Sequence, residues 1–325
     1  MDLLPTIKKP IADEMESFVE LFNLSLTHPD GLLSQALAYI RKRGGKRMRP
    51  MLIFLIAKAF GSVNDTCQNA AVGLELLHTA SLVHDDVVDE SSERRGQASV
   101  NAVFDNKVSV LVGDYILYTA LLKISQTRND NIVDTLASLG QTLSNGELLQ
   151  LSNISNQDIS EDVYYGIIMQ KTAALFEACA AIGAMSVGCN EQILTRACQF
   201  GRDLGIAFQI RDDIFDYYEQ GVIGKPTGND MLEGKLTLPV IYALNSTDDK
   251  EMMRIALKVK NHDVEKSEID RLVEFTKQNG GIEYAFQSME KYKQSAICFV
   301  EEYIQKSDIK QALLAYVEYV AARNF

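Results

Sequence analysis

Two five-residue runs of one form, Asp85-Asp86-Val87-Val88-Asp89 and Asp212-Asp213-Ile214-Phe215-Asp216, each close a long apolar stretch. Each places three carboxylates within about one helical turn, where residues four apart share a face and like charges repel. That crowding becomes favourable when hard divalent cations are the partners. Magnesium takes oxygen ligands, keeps several waters, and is usually held by one or two carboxylates plus substrate phosphates. A pair of such runs therefore points to a diphosphate held by metal from two sides. The stretches before them, Ser81-Leu82-Val83-His84 and Gly205-Ile206-Ala207-Phe208, are too apolar for surface helices, so the aspartates at their ends face a cavity or crevice.

Basic groups to meet such an anion stand at several places. Arg41-Lys42-Arg43-Gly44-Gly45-Lys46-Arg47-Met48-Arg49 carries six basic residues in nine positions and no acid. Its glycine pair allows close backbone approach, and Lys46 and Arg49, three apart, are expected to share a helical face turned to an anion. Arginine brings paired donors for a phosphate and lysine a point charge. Arg94-Arg95-Gly96 follows the first aspartate run by five residues. Lys171-Thr172 lies in a segment otherwise free of charge from Gly166 to Leu175, where a lysine needs a partner. His78 sits seven residues before Asp85, two turns away on one face, and Gln209 stands three before Asp212. No Ser/His/Asp or Cys/His nucleophile is evident.

These groups must be positioned by helices. Prolines occur at 5, 10, 29, 50, 226 and 239, leaving a long proline-free interval in which apolar residues recur at helical spacing. Strand signals are nearly absent, so the expected class is all-α, one domain over residues 1–325. The conspicuous irregular stretch is Gln220 to Gly234, glycine-rich and carrying Lys225, with Lys235 next to its end; beside a site it could serve as a lid. Beyond about residue 245 the chain is more polar, with helical patterns over 266–278 and 309–322.

Composition sets the outer limits. Hydrophobic residues make up 46% and charged ones 23% of 325 residues, enough for a core. A net charge of −12 opposes a general nucleic-acid role, although the basic run alone could be read as one. Five scattered cysteines without metal spacing read as reduced core residues, and the N-terminus lacks the apolar stretch of a signal peptide. The densest apolar run, Met51 to Phe60, is interrupted by Lys58 and is too short for a membrane span. The expectation is a soluble, cytoplasmic protein.

Taken together and in order, Gly44-Gly45-Lys46-Arg47-Met48-Arg49-Pro50, Leu77-His78-Thr79-Ala80-Ser81-Leu82-Val83-His84 running into the first aspartates, Arg94-Arg95-Gly96, Gly113-Asp114-Tyr115, Gly146 to Leu151, Lys171-Thr172 and Phe208-Gln209 through Asp216 resemble the trans-prenyl diphosphate synthases. Ala98 departs from the pattern, since many members have proline there. The resemblance implies an isoprenoid-synthase-type helical bundle around a central cavity, a homodimer, and three magnesium ions per active site. It implies that Asp85, Asp86 and Asp89 with Asp212, backed by Asp213 and Asp216, hold the metals. Arg94, Lys171 and Lys235, with Lys225, would contact an allylic diphosphate. Lys46, Arg49, His78 and Arg95 would bind isopentenyl diphosphate, and Thr172 and Gln209 would line the reacting carbons.

Product length follows from helix geometry plus the same resemblance. Positions four and five before Asp85 lie roughly 6–7.5 Å further along the helix at ~1.5 Å per residue; these are Ser81 and Ala80. Short-chain members often close the tunnel here with an aromatic residue, so small residues lead to an expected long product, heptaprenyl to decaprenyl, with Leu77 a turn deeper as part of the lining. A product of that length would need hand-off to a membrane or to a downstream enzyme. The alternatives are a short-chain farnesyl or geranylgeranyl synthase, a class I terpene cyclase, and a noncatalytic synthase subunit. The cyclase would replace the second aspartate run by an Asn/Ser/Glu metal motif, and the subunit would have lost one of the motifs.

Overall fold

The computed structural model describes residues 2–42, 44–94, 96–154, 158–218 and 227–321. Among these the chain is helical nearly throughout, as expected. The helices are α1 (Leu4–Lys8), α2 (Ala12–Ser25), α3 (Gly31–Lys42), α4 (Met48–Phe60), α5 (Asp65–Val88), α6 (Val100–Phe104), α7 (Asn106–Ser125), α8 (Asp130–Ile154) and α9 (Glu161–Ile168). They continue with α10 (Ala174–Ser186), α11 (Glu191–Phe215), α12 (Asn229–Leu232), α13 (Leu238–Asn245), α14 (Lys250–Lys260), α15 (Lys266–Gln278), α16 (Gly281–Tyr303) and α17 (Ser307–Ala321). A two-residue antiparallel pair, Glu93–Arg94 (β1) with Gln97–Ala98 (β2), comes after α5. Contacts divide the chain into two compact units, one of residues 1–140, 178–198 and 304–316, the other of 141–177, 199–303 and 317–325.

In the first unit α4 is apolar on every side, and Met51 to Ala57 have no exposed surface at all; a helix of that kind has to be surrounded. Next, α5 starts where Asn64 accepts a hydrogen bond from the Cys67 N–H at 2.9 Å, the usual way of satisfying one of a helix's first free donors. Asp105 does the same for α7 through Val108 N at 2.9 Å. Cys67, Ala70, Ala71, Leu74 and Leu77 bury one side of α5, and α7 packs along it.

The second unit depends on a close approach. A Cβ at Gly201 would come within 2.5 Å of the Phe176 carbonyl oxygen, and one at Gly205 within 2.4 Å of the Ala173 Cα. Only glycine lets the α11 backbone lie that near its neighbour. Between α9 and α10 the helix widens into a π turn over Met169–Ala173. The polar C-terminal pattern over 266–278 is observed as α15, opened by a reciprocal Glu265/Glu268 capping box.

Two helical stretches, 106–125 and 161–186, are long and apolar enough to cross a membrane by length and composition. Neither is an unbroken apolar run: Lys107, Asp114 and Lys123 interrupt the first, and Glu161, Asp162, Lys171 and Glu177 the second. Most of 161–186 is buried within the protein, whereas one third of the α7 window is.

Candidate active site

Both aspartate runs terminate long helices, the first at the end of α5 and the second at the end of α11. The C-terminal end of a helix carries partial negative charge, so the carboxylates stand where a cation relieves the most repulsion. Within each run the members divide by helical phase. Asp85 and Asp212 are half-buried and Asp89 is exposed, whereas Asp86 is fully buried and Asp213 is 3% exposed.

In the first unit, the Nε of Arg94 donates to Asp86 Oδ1 at 2.5 Å. The backbone N–H of Ser91 and the Asn101 side-chain amide both donate to the Asp86 carbonyl, at 2.9 and 3.1 Å. The short hairpin after α5 is thereby tied to the aspartates. A cleft beside them is lined by Gly44, Arg47, Arg49, Glu75, His78, Asp86 and Arg94, with Phe22, Leu82 and Gln97 among its other walls. The expected pairing of Lys46 with Arg49 on one helical face is corrected here. Arg47 adopts a left-handed conformation, φ 55°, and α4 begins only at Met48, so Lys46 precedes the helix while Arg49 sits in its first turn, near the positive end of the helix dipole. Arg47 itself joins the cleft: its guanidinium bonds Glu75 at 3.1 Å and lies 4.2 Å over the Phe22 ring.

In the second unit a cleft of about 180 Å³ is lined by Gln150, Tyr164, Lys171, Thr172, Gln209, Asp213, Asp230, Lys235 and Lys260 among others. Lys171 bonds Glu147 at 2.6 Å and Gln150 at 3.1 Å, which supplies the partner its apolar segment demanded. Lys235 meets Glu233 at 2.6 Å. Thr172 Oγ1 donates to Gln209 Oε1 at 2.8 Å, Gln209 Nε2 donates to Asp213 Oδ1 at 2.8 Å, and the Tyr164 hydroxyl donates to Asp213 Oδ2 at 2.5 Å. Burial, then the negative field of Asp230, pushes Asp213 well above the usual carboxylate range, against the pull of its two donors. Burial and Asp216 push Asp230 up to about 7. Asp216 accepts from the backbone N–H groups of Asn229 and Asp230 at 3.0 and 3.1 Å and so pins the start of α12. Arg211 grips Asp212 Oδ1 with Nη2 at 2.5 Å and also donates to the Tyr319 and Val320 carbonyls near the end of α17.

Arg49, His78, Arg94 and Asp86 thus share one cleft, and Lys171, Thr172, Gln209, Asp213 and Lys235 another. Arg95 and Lys225 lie outside the described residues, as does much of the stretch read as a lid. Leu77 and Ala80 are buried along α5 and Ser81 is half-buried, its hydroxyl bonded to the His78 carbonyl at 3.0 Å; none of the three is among the lining residues of either cleft. Sequence reasoning missed Glu75, Tyr164, Asp230 and Lys260. A signal existed for Glu75, the one acid in the apolar stretch 66–84; Tyr164 offered none.

Among the described residues no three His, Cys, Asp or Glu side chains are gathered closely enough to hold an ion by themselves. The donor set nonetheless fits magnesium. Asp85 and Asp89, one turn apart and accessible at a helix C-terminus, supply only hard oxygen donors, and this ion commonly completes its shell with water and substrate phosphate. An all-α chain with aspartate-ended helices and cation-lined clefts is built to handle diphosphates.

Comparison with known proteins narrows that class. A family model for polyprenyl synthetase matches residues 30–275. The octaprenyl diphosphate synthase of Escherichia coli (strain K12) is 37% identical over 273 residues, 83% of this chain and 84% of that protein. The crystal structure of geranylgeranyl pyrophosphate synthase from Bacteroides thetaiotaomicron is 50% identical, with TM-score 0.87 over 99% of this chain and 100% of the other. A decaprenyl diphosphate synthase from Rhodobacter capsulatus is 32% identical, with TM-score 0.90 over 98% of each chain. The chain belongs to the polyprenyl synthetase family.

Proposed function

We infer that this protein is a trans-prenyltransferase that extends an allylic diphosphate, farnesyl or geranylgeranyl, by successive head-to-tail additions of isopentenyl diphosphate, giving a long polyprenyl diphosphate. The observation that carries the reading is that each of two aspartate-ended helices contributes to a cation-lined cleft, Asp86 with Arg49, His78 and Arg94 in the first unit and Asp213 with Lys171 and Lys235 in the second, since the reaction needs carboxylates for metal and cations for two diphosphates. Arg49 and His78, with Lys46 and Arg95, bind the isopentenyl diphosphate. Lys171, Lys235 and the guanidinium of Arg94, with Lys225, take the allylic diphosphate. Asp85, Asp89 and Asp212 are the accessible carboxylates suited to magnesium, with Asp86, Asp213 and Asp216 supporting them. Bound magnesium supplies electrostatic stabilisation to the departing diphosphate.

The lysines and arginines add to that stabilisation where charge develops. The allylic carbon–oxygen bond breaks, the isopentenyl double bond attacks the resulting cation to form a carbon–carbon bond, and the proton passes to the released diphosphate. Thr172 and Gln209 border the reacting carbons, and holding both substrates there makes the step effectively intramolecular. The short-chain reading retains support, because the 50% identical structure is named a geranylgeranyl synthase. For the long-chain reading speak Ala80 and Ser81, both small, and the octaprenyl relative.

The working form is proposed to be a homodimer in the cytoplasm. On α7, Leu111, Tyr118 and Leu122 are 64–68% exposed, and their spacing puts them in one apolar stripe that a second copy would cover. Incubation of the purified protein with labelled isopentenyl diphosphate and farnesyl diphosphate tests the chemistry. Label should enter extended product with magnesium and not with a chelator; incorporation independent of metal, or none at all, would refute the reading.

A further inference from the structure

The second unit contains a chain of side-chain hydrogen bonds with a fixed sense. Asp213 is buried, and both its oxygens face donors, Tyr164 at 2.5 Å and Gln209 at 2.8 Å. The amide nitrogen of Gln209 donates to Asp213, its oxygen is turned to Thr172, and the Thr172 hydroxyl spends its one proton on that oxygen at 2.8 Å. What remains on Thr172 is acceptor capacity, on a group that lines the cleft together with Gln209, Asp213 and Tyr164. Without Tyr164 the buried Asp213 loses the donor on Oδ2, and the carboxylate that orients the Gln209 amide is no longer fixed from its other side.

We propose that Tyr164 is a positioning residue: through Asp213 and Gln209 it fixes the orientation of the Thr172 hydroxyl, and Asp213 serves this chain rather than a metal ion. The inference rests on the prenyltransferase reading, in which Thr172 borders a carbon that becomes cationic and an oxygen with outward lone pairs stabilises it. The parallel in the first unit supports the division of labour. There too the second aspartate of the run, Asp86, is buried and held by a side-chain donor, Arg94 at 2.5 Å.

Three measurements on the full-length protein test it. Tyr164→Phe should lower kcat by about tenfold or more while KM for both substrates and the magnesium requirement stay within about twofold. In a Thr172→Ala background the same change should have little further effect, since both break one chain. Calorimetric titration of magnesium with inorganic diphosphate, which involves no turnover, should be unchanged in Asp213→Asn and weakened in Asp212→Asn. Wild-type kcat in Tyr164→Phe, additive effects in the double variant, or loss of magnesium–diphosphate binding in Asp213→Asn would each overturn the proposal. A parent protein that fails to extend isopentenyl diphosphate would count against the proposed function instead, and the calorimetric comparison would still decide the role of Asp213.

Discussion

The aspartates of each run differ more from one another than their shared spacing implies. A step of one residue turns a helix by about 100°, so the first aspartate of each run is accessible while the second, Asp86 or Asp213, enters the protein and needs a donor there. Sequence shows the repetition and its acidity; it does not show which carboxylates are tied up, because Arg94, Tyr164 and Gln209 are brought in by other elements. Glu75 makes the same point from the opposite sign. A buried carboxylate would repel the anion proposed for this cleft unless it held a cation in place, and here it holds Arg47. At this scale also lies the proposed gate. Ala80 is 1% exposed, so Ala80→Phe adds a ring to packed space at a cost of about 1–3 kcal/mol. Products from a folded Ala80→Phe variant should be shorter on reversed-phase chromatography; unchanged length removes Ala80 from the account of chain length.

Elements position these residues by two devices that a 3.6-residue pattern conceals. One is the π turn over Met169–Ala173, which holds Lys171 and Thr172. An extra residue in one turn shifts the helical phase of every later residue, and such bulges are frequent at functional sites. The other is the pair Gly201 and Gly205 on α11. Gln209 stands four residues further along the same face, so the close approach that glycine permits also sets how near Gln209 comes to Thr172. Gly205→Ala would force a methyl to within 2.4 Å of the Ala173 Cα. It should destabilise the protein by about 1–3 kcal/mol in thermal or denaturant unfolding, and lower kcat more than Gly140→Ala, where the added methyl meets nothing within 4 Å. The basic run shows the limit of helical reasoning from the other side: a left-handed, non-glycine Arg47 ends the extrapolation from Lys46 to Arg49, and no local signal announces it.

For the whole molecule, the all-α class was legible directly in the proline-free interval and helical periodicity, and the family in motifs spread between residues 44 and 216. Quaternary structure is written less plainly, because an apolar helix face reads alike whether it meets a core, a membrane or another subunit. For α7 the proposed partner is a second copy. Leu111→Glu with Leu122→Glu should shift the protein from dimer to monomer in light scattering without unfolding it by circular dichroism; a wild-type sample that is already monomeric, or a charged variant that stays dimeric, would refute that face as the interface. The central claim concerns what this assembly makes. Its most direct test is the size of the product formed from farnesyl diphosphate and excess labelled isopentenyl diphosphate with magnesium, resolved chromatographically beside polyprenol standards. The account predicts all-trans products in the heptaprenyl to decaprenyl range; a reaction that stops at geranylgeranyl diphosphate would contradict it.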